Sequence, residues 1–440
     1  MENQEIFISR RKRFLEQLSV GSMAVLFSAP HAKRNYDVKY EYRTCSNFYY
    51  LTGFPEQDAA AIFLPGSDKP YKLFVHPKDP EMEMWEGKRA GVEASKDLFS
   101  VDETYSIKEF DEIFKKYLKQ VDTVYCVLGE FAEQDDHILD IIKNHHPNPR
   151  AGDKVFRNLK KVQEIIGNMR KKKDAYEISI MRKAAEISSH AHQKAMAATR
   201  PGMNEYEVEA EIEYWFKKGG AEDLAYASIV AGGNNATVLH YKTNRDVLKD
   251  GGLLLIDAGS ELHNYASDIT RTFPVNGKFT KAQRDIYEIV LKANKETIAM
   301  VKPGIKFHDM HKHATEVLVD GLIALGFLKG DRTEILKDRK NYIHFYPHGT
   351  SHWLGLDVHD PSPYFNEQGE SLPLEEGNVF TVEPGIYIGE DRTDVPEEYR
   401  GIGIRIEDDV LVTSSGADVL TKNCPKEIVE IEAIMEKGSS

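Results

Sequence analysis

The order of apolar and polar residues in the first part of the chain alternates between strand-like and helix-like patterns. Short runs rich in β-branched and aromatic residues predict strands at SMAVLFSA, AAIFLPG, YKLFVHP and VDTVYCVLG. Between the last two runs, IKEFDEIFKKYLKQ repeats its apolar residues at the spacing of an amphipathic helix. Residues 1–170 are therefore predicted to form an α/β domain.

The rest of the chain, residues 171–440, shows one order of elements twice. A long helix is predicted to begin after Asp174 and to end at Pro201-Gly202, and a second to begin after Thr280 and to end at Pro303-Gly304. Each is followed by another helical stretch and then by two apolar strands. This repetition predicts an α+β domain with an internal duplication, whose halves are related by a pseudo-twofold axis.

Composition narrows the class of protein and its partners. A chain of 440 residues, 41% hydrophobic and 29% charged, is typical of a soluble protein of two domains. The net charge of -14 argues against nucleic acid and anionic membranes as partners, and the basic run at 170–173 is expected to be a solvated linker. The sequence contains neither an apolar run long enough for a membrane span nor a signal-peptide core at its N-terminus. Three widely spaced cysteines fit a reducing compartment, so we expect a cytoplasmic protein.

Four acidic residues each end or interrupt an apolar run of the second domain, where a carboxylate is costly to bury unless it is paired or bound to a metal. They are Asp257 in LLLIDAG, Asp268 in ASDITRTF, Glu383 in FTVEPGIY and Glu407 in GIGIRIEDDVLVT. The two aspartates are expected to face each other across a hairpin, and His352 lies in a segment between the two pairs. Two divalent cations would neutralise four carboxylates, and this ligand set suits Mn²⁺, with Co²⁺ or Zn²⁺ as alternatives. Taken singly, strand-end acids are more often turn or cap residues, and that interpretation stays open at this point.

The other histidines fall into three groups. His348 and His359 lie in the same segment as His352, and one ligand with two supporting or substrate-facing histidines is expected there. His240 follows a polar loop, and its pattern fits a structural histidine as well as a substrate contact. The start of an amphipathic helix carries three histidines that are expected to be solvated, namely His308, His311 and His313.

Several common catalytic motifs are absent from the sequence. It contains no HExxH helix, no GxSxG elbow, no P-loop and no GxGxxG fingerprint. Their absence argues against a single-zinc protease, a serine hydrolase and a nucleotide-binding enzyme. A hydrolase with two metal ions remains compatible with the four acids.

Four segments resemble the motifs of a known enzyme family. These segments are IDAGSELHNYASDITRTFPVNGKFT, PHGTSHWLGLDVHD, FTVEPGIYI and GIGIRIEDDVLVT. They resemble the metallopeptidases with the pita-bread fold, which include methionine aminopeptidases, prolidases and aminopeptidase P. The match is closest to aminopeptidase P. The N-terminal domain of that enzyme is also resembled by an earlier stretch of this chain, YEYRTCSNFYYLTGFPEQDAAAIFLPG. The resemblance covers almost the whole chain and implies an α/β N-terminal domain, residues 1–170, and an α+β pita-bread catalytic domain, residues 171–440.

The resemblance implies a ligand set for two divalent metal ions, most commonly Mn²⁺. The five ligands would be Asp257, Asp268, His352, Glu383 and Glu407. Asp268 and Glu407 would bridge the ions, and Glu383 would also act as the general base.

Further roles follow from the same resemblance. His240 and His359 would contact the substrate and the reaction intermediate, while Arg405 and His348 would support the site from behind the ligands or from the side that binds the proline. The implied reaction removes the N-terminal residue from peptides with proline in second position, by attack of a hydroxide that bridges the metals. The alternatives are a prolidase restricted to Xaa-Pro dipeptides and a non-catalytic pita-bread interaction module, and the retained ligand set argues against the second.

Three more residues are candidates for contact with the substrate. Trp85 in EMEMWEGKRAG is expected to line the cleft of its own or a neighbouring subunit in a homodimer or homotetramer, with core packing as the alternative. Asp37 in NYDVKYEYR is a candidate for binding the free α-amine, with a plain surface acid as the alternative. Trp353 in TSHWLG distinguishes the chain from prolidases and is expected near the substrate.

Overall fold

The computed structural model describes residues 4–438 and divides into two compact units, which meet in sequence between Met169 and Arg170. The helices of the first unit are α1 (Gln4–Gln17), α2 (Ser46–Thr52), α3 (Pro80–Glu86), α4 (Gly91–Leu98), α5 (Phe110–Leu118) and α6 (Ala132–Lys143), and α7 (Gln163–Lys171) spans the boundary between the units. Its strands are β1 (Ser22–Phe27), β2 (Lys33–Asn35), β3 (Val38–Lys39), β4 (Ala60–Phe63), β5 (Tyr71–Val75), β6 (Glu103–Ser106), β7 (Thr123–Cys126) and β8 (Asn158–Lys161). Six of them form a mixed sheet in the order β6-β5-β4-β1-β7-β8.

The predicted elements of the first unit are confirmed. The four apolar runs form β1, β4, β5 and β7, whose residues are almost all buried, and a continuous apolar sequence is what such strands require. The predicted helix is α5, which turns Phe110, Phe114 and Leu118 into the core at the spacing of one helical face. Among the described residues, no helix is both long enough and apolar enough to cross a membrane.

In the second unit the same order of helices and strands occurs twice. Its helices are α8 (Ala175–Ala198), α9 (Glu205–Gly219), α10 (Lys281–Met300), α11 (Phe307–Ala324), α12 (Arg332–Lys337) and α13 (Ile428–Gly438). Its strands are β9 (Asp223–Leu224), β10 (Ile229–Gly232), β11 (Leu253–Asp257), β12 (Ser260–Leu262), β13 (Tyr265–Ala266), β14 (Thr270–Pro274), β15 (Val379–Val382), β16 (Gly385–Ile388), β17 (Ile402–Arg405), β18 (Asp408–Thr413) and β19 (Gly416–Val419). The first half consists of α8, α9 and the hairpin β11–β14, and the second of α10, α11 and the hairpin β15–β18.

Capping explains where the two long helices begin. Asp174 and Thr280 each accept a hydrogen bond from the backbone N–H three residues later, and the side chain at that later position bonds back to the cap. This is the predicted capping box in both cases. The helices end at Ala198 and Met300, just before the Pro-Gly pairs. The predicted limits of both helices are therefore confirmed.

Both hairpins of the second unit are interrupted at mid-strand. The antiparallel ladder breaks between β11 and β12, β13 and β14, β15 and β16, and β17 and β18. Gly259 is required at the first break, because a Cβ atom there would lie 1.8 Å from the carbonyl oxygen of Ser267. Pro384 lies at the third break, where it lacks a backbone N–H for the ladder. Each of the four predicted acids lies at or beside one of these breaks.

The basic run at 170–173 is not a solvated linker, so that prediction is wrong. Arg170 and Lys173 are buried. Arg170 Nη2 contacts Asp360 and lies 2.6 Å from Oδ2 of Asp357, while Lys173 Nζ lies 3.2 Å from Oδ2 of Asp360. Because these partners lie almost 190 residues later in the chain, charge patterning around the run could not reveal them.

Candidate active site

One cavity of about 540 Å³ in the second unit brings together nine residues that the sequence singled out. They are Asp257, Asp268, His352, Glu383, Glu407, His240, His348, His359 and Arg405. The four acids reach it because the bends of the two hairpins direct strand ends toward a common point. The predicted pairing of the aspartates is corrected in detail, since Asp257 lies opposite Thr270 in the ladder rather than opposite Asp268.

Three of these residues form a compact donor group. One ligand atom each from Asp268, His352 and Glu407 lies within 4.8 Å of the other two. His352 Nε2 is 3.4 Å from Oδ2 of Asp268 and 3.7 Å from Oε1 of Glu383. The other ring nitrogen, Nδ1, donates to the carbonyl of Trp353 at 3.1 Å. This bond directs Nε2 at the acids, as in a metal-binding histidine.

The acid cluster holds several carboxylates close together in a buried place, so their negative charges repel one another. Burial raises the pKa of Glu407 well above its ordinary value, and the charges of Asp268 and Glu383 raise it further. Burial also raises the pKa of Asp257, and it raises that of Glu383 to about 7. Cations would relieve this repulsion, and a set of carboxylate oxygens with one imidazole fits divalent ions of the Mn²⁺ type.

Arg405 connects two of the acids. Its Nη2 donates to Oδ2 of Asp257 at 2.5 Å, and its Nε donates to the hydroxyl of Thr270 at 3.0 Å. The Thr270 hydroxyl in turn donates to Oε2 of Glu407 at 2.6 Å. Sequence reasoning missed Thr270, although it follows Asp268 by only two residues, because Arg271 and Thr272 beside it in β14 are polar as well and nothing singles it out.

Arg405 is also connected to His348 through a chain of hydrogen bonds. Nη1 of Arg405 donates to the hydroxyl of Tyr387 at 3.0 Å, and that hydroxyl is 2.8 Å from Nε2 of His348. Nδ1 of His348 is 2.7 Å from the carbonyl oxygen of Gly349 and so carries the proton, which leaves Nε2 to accept from Tyr387. Burial lowers the pKa of His348 to about 3, so the ring is neutral. Tyr387 has no sequence signal apart from its place four residues after Glu383.

Tyr226 is a further residue that the sequence did not indicate. Its hydroxyl lies 2.6 Å from Oδ1 of Asp257 and also contacts Oδ1 of Asp268. Burial raises its pKa well above the ordinary value, and the two carboxylates add to the effect, so it remains a neutral donor. Nothing in the segment LAYASIV distinguishes this tyrosine from a core residue.

His311 does not fit the prediction for its helix. His308 is exposed and His313 faces Glu296 at 3.4 Å, but Nδ1 of His311 is 2.9 Å from the hydroxyl of Thr350. The carbonyl of Thr350 accepts the backbone N–H of Glu383 at 2.8 Å. Burial lowers the pKa of His311 to about 4. The prediction of a solvated residue is therefore wrong for His311, which lies directly behind the backbone of Glu383.

Trp353 is placed in the core, which corrects the expectation of substrate contact. Its side chain is 0% exposed and packs against Phe307, at 4.5 Å between ring centroids, and against Tyr364. The indole N–H donates to the carbonyl of Pro363 at 3.1 Å. Its indole is absent from the cavity lining, and its effect on the site is to hold the neighbouring His352 through the backbone.

Asp37 and Trp85 belong to the first unit, and both lie at its surface. Asp37 occupies the turn between β2 and β3. Trp85 lies in α3 and is 78% exposed, which excludes the alternative of core packing within the described chain. Their contact with substrate stays a prediction.

The chain is similar to known proteins over almost its whole length. Residues 179–414 match the model of metallopeptidase family M24, and residues 7–125 match the aminopeptidase P N-terminal domain. A Xaa-Pro aminopeptidase of Haemophilus influenzae is 43% identical over 98% of this chain and 97% of its own length. An aminopeptidase of Pseudomonas aeruginosa has a structure of TM-score 0.96 at 43% identity, covering 99% of this chain and 98% of that one. A zinc-substituted aminopeptidase P of Escherichia coli with bound product has a TM-score of 0.95 at 40% identity, with 99% of both chains covered.

These similarities extend over both units, so they confirm the predicted fold, an α/β N-terminal domain and a pita-bread catalytic domain. They also confirm that the chain is a metal-dependent peptidase. The chain belongs to metallopeptidase family M24, in its aminopeptidase P branch.

Proposed function

We propose that this enzyme removes the N-terminal residue from peptides with proline in second position. The observation that carries the proposal is the convergence of four carboxylates and one imidazole on a single cavity. The Xaa-Pro aminopeptidases to which the chain is similar over its full length give the substrate class. A non-catalytic interaction module is disfavoured, because such a module would have no need to retain these acids in a costly buried cluster.

The proposed cofactor is a pair of Mn²⁺ ions in each chain. The ligands would be Asp257, Asp268, His352, Glu383 and Glu407, with Asp268 and Glu407 shared between the two ions. Ions bound there would lower the pKa of a water molecule and polarise the carbonyl of the scissile bond.

The proton transfers are assigned to Glu383. The assignment is supported by its carboxylate, which lies in the cavity 3.7 Å from Nε2 of His352 and 3.6 Å from Nδ1 of His348. Among the described residues, no lysine or arginine is bonded to it. We propose that it takes the proton of the attacking water and delivers it to the proline nitrogen as the peptide bond breaks. This delivery matters because proline nitrogen leaves poorly when it is not protonated.

Two exposed imidazoles are assigned to the substrate carbonyl. His240 and His359 both line the cavity, and the ring of His359 packs edge-on against that of His352 at 4.4 Å between centroids. Burial lowers the pKa of His359, with the charge of His352 contributing, so the ring donates as neutral imidazole. An N–H from either residue would stabilise the oxyanion that develops on the carbonyl.

Selectivity for proline is assigned to the shape of the cavity. Its wall includes the apolar side chains of Ile229, Leu239 and Val358. A proline ring has no N–H and a fixed φ, so an apolar surface that offers no acceptor would favour it over ordinary residues. The prolidase alternative shares all of this chemistry and differs only in the space beyond the proline.

Three finer parts of the proposal concern the rest of the molecule. Asp37 would bind the free α-amine, and Trp85 would line the cleft of a neighbouring subunit in a homodimer or homotetramer; a highly exposed tryptophan supports the second role. A protein that sediments as a monomer and retains full activity would contradict the shared cleft.

A cytoplasmic location is supported by three cysteines that are buried and free.

The experiment that tests the function is product analysis by mass spectrometry. Purified protein supplied with Mn²⁺ is incubated with Xaa-Pro, Xaa-Pro-Yaa and Xaa-Ala-Yaa peptides, and E383Q serves as the matched control for contaminating peptidases. We expect release of the first residue from Xaa-Pro-Yaa at least as fast as from the dipeptide. Cleavage of dipeptides alone would favour a prolidase, and equal cleavage of Xaa-Ala-Yaa would contradict the proline pocket.

A further inference from the structure

Helices α8 and α10 each carry one buried polar side chain at the same place in the two halves of the second unit. His192 lies nine residues before Pro201, and Asn294 lies nine residues before Pro303. Both side chains are 0% exposed. Because each proline belongs to the Pro-Gly pair that ends its helix, the internal duplication makes the two positions equivalent. A polar residue on the apolar face of a helix is costly unless it has a partner.

Asn294 finds its partners at two breaks in the strands. Its Nδ2 donates to the carbonyl of Val382 at 3.0 Å and to that of Ile406 at 3.3 Å. These carbonyls directly precede Glu383 and Glu407. Since an amide nitrogen has two N–H groups, both bonds form together. One side chain therefore joins the two backbone segments that carry the second pair of acids.

The oxygen of Asn294 is also used. It accepts from Nζ of Lys426 at 2.7 Å. The amide orientation is thereby determined, because a lysine can only donate and two carbonyls can only accept. This bond holds the nitrogen of Asn294 toward the strand breaks.

His192 makes the corresponding contact in the first half. Its Nε2 is 3.0 Å from the carbonyl oxygen of Ala258, the residue after Asp257. The N–H of Ala258 donates to the carbonyl of Ile269, the residue after Asp268, at 3.1 Å. The peptide units beside the first pair of acids are thus linked to each other and to His192.

The protonation state and tautomer of the His192 ring follow from its surroundings. A carbonyl can only accept, so Nε2 carries the proton. Nδ1 is buried and has no hydrogen-bond partner among residues 4–438. Burial lowers the pKa of His192 to about 3, so the ring stays neutral. A single neutral N–H donor is all that this position supplies.

We propose that His192 and Asn294 are equivalent positioning residues, each of which fixes the backbone from which one pair of metal-binding acids projects. Neither side chain lines the cavity, so both act through the backbone rather than on substrate. The inference rests on the proposed function, since that proposal makes the four acids ligands. It adds that each half of the duplicated fold uses one helical position for the same task.

The test compares donor-removing variants with matched controls on the same helices. N294L and H192L remove the donors, while H192Q keeps an N–H near the position of Nε2. S189A and T297V are the controls, because the hydroxyls of Ser189 and Thr297 are buried in α8 and α10 but have no partner among the described residues. Mn²⁺ affinity of the metal-free protein is measured by calorimetry, beside kcat, KM and the midpoint of thermal unfolding.

We expect N294L and H192L to lower Mn²⁺ affinity and kcat by about 10–100-fold, the usual effect of losing a group that orients a metal ligand. KM should change little, H192Q should recover most of the loss, and both controls should behave like the parent. N294A replaces N294L if the larger side chain prevents folding.

Two contrary outcomes are distinguishable. Variants that unfold at lower temperature but bind Mn²⁺ and turn over like the parent would show a merely structural role and overturn the inference alone. A parent protein that binds no Mn²⁺, Co²⁺ or Zn²⁺ would overturn the proposed metal centre, and this inference with it.

Discussion

Nη2 of Arg405 lies 2.5 Å from Oδ2 of Asp257, and both side chains are largely withdrawn from solvent. The same guanidinium reaches Thr270 and Tyr387, so it holds one acid directly and a second through the threonine hydroxyl. An arginine can make these contacts together because its donors form a planar fork.

Replacement of Arg405 should therefore depend on geometry as well as charge. We expect R405L to lower kcat by about 10–100-fold, and R405K to lie between R405L and the parent because a lysine cannot reach all three partners. R392L is the control, since Arg392 pairs with the exposed Asp394. Full activity in R405K, measured by steady-state kinetics, would show that only the charge matters.

The number of metal ions is predicted from the ligand set. Elemental analysis after Mn²⁺ loading should approach two ions per chain, because four carboxylates and one imidazole exceed what one ion needs. D268N and E407Q should lose both ions, since each acid is proposed to bridge, whereas D257N should retain about one. A ceiling of one ion in the fully active parent would contradict the dinuclear centre.

The two exposed imidazoles should separate catalysis from metal binding. H240A and H359A are expected to keep the parent content of metal while kcat falls by about 10²-fold or more, the scale of removing one oxyanion donor. Elemental analysis and kinetics on the same samples check this. Loss of metal in either variant would instead identify that histidine as a ligand.

His311 and His313 lie two residues apart on α11 and should respond differently to alanine. H311A leaves the buried hydroxyl of Thr350 with one partner fewer and loosens the segment that accepts the N–H of Glu383. We expect it to destabilise the protein by about 1–3 kcal/mol and to lower kcat. H313A should do neither, because its contact with Glu296 is partly exposed to solvent. Equal behaviour of the two variants in thermal unfolding and kinetics would contradict the supporting role.

The buried ion cluster of Arg170, Lys173 and Asp360 predicts a pH-dependent stability. Burial raises the pKa of Asp360, but the charges of Arg170 and Lys173 outweigh it and hold the pKa below its ordinary value. The stabilisation is therefore fully present above the unfolded pKa of about 3.9 and is lost as the pH falls through the lower folded pKa.

In the corresponding experiment, D360N should lower the free energy of unfolding at pH 7 by about 3–5 kcal/mol, because it removes the buried carboxylate that Lys173 and Arg170 share and leaves Arg170 with the more exposed Asp357. The gap between D360N and the parent should narrow below about pH 4. D357N, which alters a more exposed partner of the same guanidinium, should have a smaller effect. A gap that persisted unchanged into acid would argue that packing, not charge, is responsible.

The fold and the acids could be predicted because their signals are local. Capping boxes at Asp174 and Thr280, the Pro-Gly pairs and continuous apolar runs each depend on neighbours within a few residues. An acid that closes an apolar run is conspicuous for the same reason, since burial makes it improbable without a partner. The resemblance to aminopeptidase P implies the roles that spacing alone leaves open, and those roles stay predictions.

The supporting residues could not be predicted, because their partners are distant in sequence. Tyr226 contacts acids 31 and 42 residues later, and Thr270 meets Glu407 across 137 residues. His311 has the same sequence pattern as its neighbours on an amphipathic helix, and its partner Thr350 lies 39 residues later. The prediction for Trp353 is wrong for the opposite reason, since this residue is typical of a family motif and yet its side chain lies in the core.

The buried side chains of Arg170 and Lys173, which precede α8, limit where a fragment that contains only the catalytic unit can begin. The match to the family model begins at residue 179, which is after Arg170 and Lys173. A fragment that started at that limit would leave the carboxylate of Asp360 in the interior without either cation. We therefore expect a soluble fragment to require a start at or before Arg170, so the shortest stretch that folds alone is longer than the stretch that sequence similarity delimits.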